Sequence, residues 1–379
     1  MDLSKKRLIG LTIAAFILLY LVAPAFYLLL SGEFTPTAYR IFLRINPLSW
    51  SRLLSSMKGL DSQTKGMILQ LLSNTPETYW SIAIDTIHET PKPMLEDTIY
   101  VLSAVNSEEW HLVREAIKLY LAGYTPFTPS SGELKREYVE PLAISGEEPV
   151  LDWRYMVYIF TYRLIHDKTD VCEAVKTICG YVHKYLTYDI KFWHRRSPKT
   201  LIRQKRGTCT NFSILFVAMC RVMGIPARLL RDNSISPATH AWSEFYLEGK
   251  GWIHVDPTAG FFDYPQAYLL KWGYRYHLVK AFSPLKGWID VTPSYVADYG
   301  VLTGMIRLDG ESVVGADVSI YYPENSRVLY TVKTGGDGSF KFTVAEGTYI
   351  LEASYKGMVK TLTVSAEAGK TVNVEINLK

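Results

Sequence analysis

The sequence predicts an α+β protein with a membrane-spanning helix and a helical region ahead of its core and a small β-sandwich behind it, and three observations carry that reading. Leu8 to Leu30 is an apolar run without a charged residue. Pro198 to Gly260 passes from one apolar helical stretch into two alternating strands, the pattern of a helix laid on a small antiparallel sheet. Gly300 to Lys379 is rich in Val, Thr, Tyr and Gly, with period-two alternation and turn signals at Leu308-Asp309-Gly310 and Gly335-Gly336-Asp337-Gly338. The expected divisions are 1–31 for the anchor, 32–149 for a helical region and linker, 150–299 for the domain carrying the chemistry, and 300–379 for the sandwich.

The anchor comes first. The 23 positions of residues 8–30 suffice to cross a hydrocarbon core of about 30 Å. Lys5, Lys6 and Arg7 precede them, so the N-terminus should stay cytoplasmic and everything after Ser31 should lie outside. Ala23-Pro24-Ala25 offers a small-x-small cleavage site, but the apolar run continues to Leu30, which favours a retained anchor in the lipid bilayer. A net charge of +4 over 379 residues, with no dense Lys/Arg run, argues against a nucleic-acid partner. The oligomeric state is not legible.

Next, Pro47 to Gly123 reads as short helices over Gly66–Leu72, Glu77–Ile87, Met94–Val105 and Glu108–Leu121, spaced about sixteen residues apart without a sequence repeat firm enough to name. Thr125 to Pro149, rich in Pro, Gly, Ser and Glu, looks like a linker or surface loop. Cys172 and Cys179 fall on one expected helix, where roughly 10 Å separates them, beyond disulfide reach. With Cys220 they read as small buried apolar residues.

The core carries the chemistry. Arg206-Gly207-Thr208-Cys209 opens an apolar helical run that closes at Gly224, with Pro226 beyond. Thr208 is a plausible N-cap, which puts Cys209 in the first turn, where unpaired N–H groups and the helix dipole favour a thiolate. A cysteine at a helix start is weak evidence by itself. Its partners come from a hairpin, with His240 in the strand Thr239 to Tyr246 and Asp256 ending the strand Trp252 to Asp256. A three-residue loop, Glu248-Gly249-Lys250, pairs Trp242 with Asp256 and makes His240 the diagonal neighbour of Asp256 on the same face. A four-residue loop without a bulge puts them on opposite faces, so the chemistry demands an odd loop or a bulge. Cys209 then attacks a carbonyl, His240 handles the proton and Asp256 orients the ring. The Cys209 N–H is the first oxyanion donor, and the second is open among Gln204, Trp193 and Tyr188.

Gly207-x-Cys209, His240-Ala241-Trp242 and Trp252-x-x-x-Asp256-Pro257-Thr258 together resemble the transglutaminase-like superfamily, in its membrane-anchored archaeal or bacterial form, over roughly Val171 to Gly260. The resemblance implies a papain-related fold in which the nucleophile helix packs on a small antiparallel sheet; no cofactor and no metal are expected, and the expected substrate is a protein or peptide. Family members include cross-linkers, peptidases, amidases and deglycosylating enzymes. In the last domain, Gly315-Ala316-x-Val318 and Gly336-Asp337-Gly338-Ser339-Phe340 resemble the carboxypeptidase regulatory-like, transthyretin-like sandwich.

Rival readings concern the same residues. His254 is an alternative base, Asp290 an alternative carboxylate, and Cys209, His240, His254 and Asp256 are all zinc-ligand types, although no close-spaced Cys/His pair supports a metal. His88, His111, His166, His183, His194 and His277 read as packing or surface residues, and the aromatics from Phe261 to Tyr299 as a cover for the sheet. The leading function is an outward-facing cysteine enzyme that cleaves amide or peptide bonds through a thioacyl intermediate, with hydrolysis favoured over cross-linking. The alternative is an inactive adhesion or scaffold protein, against which the retention of all three residue types argues.

Overall fold

The computed structural model describes residues 40–41, 44–45, 47–146, 152–232, 240–263, 278–323 and 327–379. Among these no helix is long and apolar enough to cross a membrane, and the span expected at 8–30 lies outside the described residues. The chain divides into two compact units: a helical one ending at Tyr124 and taking in Tyr158–His166, and a second built from Thr125–Val157 and Asp167–Lys379.

In the first unit, α1 (Pro47–Met57) and α2 (Ser62–Ser73) are followed by α3 (Trp80–Glu89), α4 (Leu95–Ala104) and α5 (Trp110–Leu121). One turn of tighter 3₁₀ helix precedes each of the last three, at Glu77–Tyr79, Lys92–Met94 and Ser107–Glu109. The helices therefore start at 80, 95 and 110, a repeat of fifteen where the sequence had suggested about sixteen. Repetition lies in the backbone and in the buried residue that begins each helix. Trp80 donates its Nε1–H to the Thr75 carbonyl at 2.9 Å and Trp110 to the Leu102 carbonyl at 2.9 Å, so each indole ties a helix start to the chain before it.

The second unit is built around α10. Its elements in order are α6 (Gly132–Tyr138), α7 (Arg154–Ile165, whose last residues belong to the first unit), α8 (Val171–Tyr185), β1 (Thr187–Tyr188), α9 (Pro198–Gln204), β2 (Arg206–Gly207) and α10 (Cys209–Val222). There follow β3 (Ala227–Asp232), β4 (His240–Leu247), β5 (Gly251–Asp256), β6 (Phe261–Phe262), β7 (Val279–Ser283) and β8 (Gly287–Asp290). They form one antiparallel sheet in the order β6-β5-β4-β3-β7-β8. From Phe212 to Val222, α10 has no long polar stretch facing outward, so it is buried along its length against α8, β3 and β4. Cys172 and Cys179 share α8 as expected, and no disulfide joins any of the four cysteines; Cys179 and Cys220 are buried, whereas Cys172, expected to be buried, is only partly so because it stands in the first turn of α8.

The stretch from Thr125 that reads as a linker is, through residue 146, a strap packed onto this unit. Glu137 is buried and accepts from Ser283 Oγ at 2.5 Å and Lys286 Nζ at 3.1 Å. Arg221, 2% exposed, donates to the carbonyls of Ala227 at 3.0 Å, Pro141 at 3.2 Å and Ala143 at 2.8 Å. Gly224 ends α10 at φ +83°, and a Cβ there would stand 1.7 Å from the Phe127 carbonyl oxygen. Composition missed the strap because main-chain groups and isolated side chains hold it, not a periodic apolar face.

The sandwich comprises β9 (Tyr299–Leu308), β10 (Glu311–Ser312), β11 (Asp317–Tyr322), β12 (Arg327–Lys333), β13 (Ser339–Ala345), β14 (Gly347–Tyr355), β15 (Met358–Ala366) and β16 (Thr371–Asn377). One sheet runs β10-β9-β13 with β16 parallel to β9, and the other runs β12-β11-β14-β15. Leu302, Ile306, Val318, Ile320, Phe342 and Leu351 fill the space between them. Ala345 of β13 also joins Leu230, Trp242, Val279, Ala281 and Val296 in an apolar cluster, so the sandwich abuts the back of the larger sheet.

Candidate active site

Cys209 stands where α10 begins. Thr208 has the extended conformation of an N-cap, φ −92° and ψ 178°, and makes no side-chain capping bond, while its carbonyl accepts from Asn211 N at 2.8 Å and Phe212 N at 3.0 Å. The approach is fixed by Gly207, where a Cβ would lie 2.4 Å from that of Asn211. Asn211 is fully buried; its Nδ2 donates to the carbonyls of Phe192 at 2.8 Å and His194 at 3.3 Å, and its Oδ1 accepts from Arg196 N at 3.2 Å. It thereby holds the 192–196 loop beside Cys209, a role the sequence reading missed because an Asn inside an apolar run carries no motif.

The hairpin delivers the partners in the required parity. Ser243 pairs with Val255, Glu244 with His254 and Leu247 with Gly251, leaving Glu248-Gly249-Lys250 as a three-residue loop. That register puts Trp242 opposite Asp256 and His240 diagonal to it. His240 Nε2 meets Asp256 Oδ2 at 2.8 Å, which leaves Nδ1 for the thiol. Asp256, 1% exposed, also accepts at Oδ1 from the N–H groups of Thr258 at 2.9 Å and Ala259 at 3.2 Å, so both its oxygens are anchored.

Charge follows from these contacts. Burial would push the Cys209 thiol up, but its hydrogen bond and charge interaction with His240 and the N–H of Ala241 outweigh burial and hold it below the ordinary value. Burial would likewise discharge His240, yet hydrogen bonds to Asp256 and Cys209 lift it to about 10. Asp256 stays below the ordinary carboxylate value for the same reason, its bond from His240 overcoming desolvation. These contacts favour a thiolate–imidazolium pair beside a carboxylate, the arrangement that makes a thiol a better nucleophile.

A cavity of about 640 Å³ opens on Cys209 and His240, lined also by Tyr188, Ile190, Trp193, His194, Arg195 and Arg231 among others. Of the three oxyanion candidates, Tyr188 and Trp193 line this cleft and Gln204, exposed at the end of α9, does not. Tyr188 is paired with Gly207, and the neighbouring Cys209 charge adds to burial in raising its phenol. Tyr188, Ile190 and Trp193 are 54%, 71% and 65% exposed and make an apolar rim. His194, read as a packing or surface residue, belongs to the cleft instead, brought there by the loop that Asn211 holds.

The rivals are placed elsewhere. His254 is buried and turned to Tyr295, with Nδ1 at 3.5 Å from its hydroxyl, and desolvation drives its imidazole down to about 4. Asp290 pairs with Lys280 at 3.8 Å and accepts from Thr292 N at 3.0 Å, a turn residue. Among the described residues no three His, Cys, Asp or Glu side chains gather as a metal site, so the zinc grouping is not assembled. His277 lies outside the described residues.

With this geometry in hand, the comparisons are decisive for the core: residues 160–257 match the transglutaminase-like superfamily. The match takes in Cys209, His240 and Asp256. Residues 301–379 match the carboxypeptidase regulatory-like domain, in accord with the sandwich topology. The chain is similar to proteins named peptide-N(4)-(N-acetyl-beta-glucosaminyl)asparagine amidase from Arabidopsis thaliana (32% identity over 123 residues, 32% of this chain) and Gallus gallus (34% over 118, 31% of this chain). It is also similar to Protein png-1 of Neurospora crassa, 36% identical over 143 residues, 38% of this chain. The match spans only 16%, 16% and 32% of those three proteins. All three are eukaryotic, so the expected archaeal or bacterial type finds no support among them.

Proposed function

We propose that the chain is a cysteine amidase that cleaves an amide bond through a thioester on Cys209. The observation that carries this reading is the pairing of Cys209 with an imidazole that Asp256 keeps charged. The thiolate adds to the amide carbonyl, with the developing oxyanion near the Cys209 N–H at the helix start. The C–N bond breaks as His240 gives its proton to the leaving nitrogen, and the thioester remains. Water then attacks, losing a proton to His240, and the C–S bond breaks to release an acid and restore the thiolate.

The relatives' names support the side-chain amide of an N-acetylglucosaminyl asparagine as the substrate class, within proteins or peptides. The exposed rim of Tyr188, Ile190 and Trp193 suits such a substrate, since it offers flat apolar faces at the mouth of a polar cleft. We place the enzyme on the outer face of a membrane, held by residues 8–30, on the basis of the basic cluster before that run. Incubation of the wild type and Cys209→Ala with a glycopeptide and a peptide library, with and without added amine, tests the activity. Release of glycan with conversion of Asn to Asp, absent in the variant, is expected. New amino termini would make it a peptidase, amine incorporation a cross-linker, and no turnover by wild type would leave the scaffold reading.

A further inference from the structure

The hydroxyl of Tyr295, in the segment leading into the sandwich, sits at the centre of a buried polar chain behind the catalytic strand. It accepts from Trp242 Nε1 at 3.1 Å and donates to Glu244 Oε1 at 2.5 Å. Glu244 is in turn held by Arg228, whose Nε lies 2.7 Å from Oε2 and whose guanidinium lies 3.9 Å from the Trp252 ring centre. Trp242 is fully buried, and its indole stacks on His240 with centroids 5.8 Å apart and planes inclined by 18°. Val296 and Ala345 close the same cluster from the sandwich side.

We infer that Tyr295 is a positioning residue for His240: its hydroxyl sets the plane of the Trp242 indole, and that ring face supports the imidazolium through cation–π attraction. This inference rests on the reading of His240 as the partner of Cys209. A hydrogen bond at one edge of a packed indole adds a directional constraint on its ring plane to the constraint that packing supplies. The titratable groups facing His240 are Cys209 from α10, Asp256 and His254 from β5, and Asp232, opposite it in register on β3. Of these, His254 meets the Tyr295 hydroxyl, at 3.5 Å, so Trp242→Phe, which leaves that hydroxyl in place, separates the effect of the indole from that of His254. The sandwich and the segment before it thus form a fixed wall of the active site.

The test is the pH dependence of Cys209 alkylation by iodoacetamide, read on the Cys209 peptide by mass spectrometry, which needs no substrate. With less support for the imidazolium, the thiolate forms at higher pH. Tyr295→Phe should therefore move the midpoint up by about half a unit, or about three-fold in rate below it. Trp242→Phe, which keeps a ring but has no N–H to be held, should move it the same way, and the double variant no further than the larger single. An unchanged midpoint in Tyr295→Phe, or additive shifts in the double, would overturn the inference. If Tyr295→Phe fails to fold, Trp242→Phe decides alone, and an unchanged midpoint there overturns it. A wild-type midpoint in the ordinary thiol range would instead sink the proposed active site itself.

Discussion

Two histidines on adjacent strands of one sheet face experience opposite fates. The His240 side chain is 12% exposed and its imidazole is raised to about 10; His254 is 6% exposed and its imidazole falls to about 4. Desolvation is the largest influence on both and favours the neutral ring in each case. What separates them is bonding: His240 has Asp256 at 2.8 Å and the Cys209 thiol, while among the described residues His254 has a phenol at 3.5 Å on Nδ1 and no partner for Nε2. Burial alone discharges an imidazole; a bonded carboxylate and thiol reverse that outcome at His240.

The largest expected disturbance of this contrast is Asp256→Asn, which removes the charge that His240 has and His254 lacks. Turnover should fall by about 10²–10⁴-fold, as for other triads that lose their carboxylate, and the acid limb of Cys209 alkylation should move toward the ordinary thiol range. A variant that retains both its rate and its low midpoint would mean that the contrast has another cause.

Asn211→Ala sharpens the comparison from outside the pair. It frees the loop bearing Trp193 and His194, so kcat/KM should drop by about 10–100-fold through substrate placement. The alkylation midpoint should hardly move, because the Asn211 side chain bonds the loop and not Cys209, His240 or Asp256. If the midpoint moves as far as in Asp256→Asn, the charge state depends on the loop.

The smallest catalytic effect is expected from His254→Gln, within a few-fold. Its signature is in stability. Between pH 6.5 and about 4 the unfolded chain binds a proton at His254 that the folded protein refuses, so stability falls by up to about 1.4 kcal/mol per pH unit as the solution is acidified through that window. Denaturant unfolding should show a flatter acid slope in the variant, and equal slopes would show that His254 is not held neutral.

The fold and the candidate site were legible to different depths. Cys209, His240 and Asp256 could be read because a helix-start motif and a three-residue turn translate directly into geometry. Tyr188 and Trp193 were placed in the right cleft, while Gln204 was not, since no periodicity records which way a connecting loop runs. Asn211, His194 and Tyr295 act through contacts from residues 15 to 53 positions away, which local patterns do not encode. The fifteen-residue repeat of the helical unit escaped detection because Pro76, Pro91 and Asn106 serve the same position with different residues.

Arg221 explains why the strap is hidden from compositional reading, and it has an evolutionary corollary. The guanidinium grips the strap by the carbonyls of Pro141 and Ala143, groups that every amino acid possesses. Side chains at those two positions can drift while the path of the chain is conserved. Positions 141 and 143 should therefore accept substitution more readily than Arg221 or the buried Glu137, which hold the strap by their own side chains.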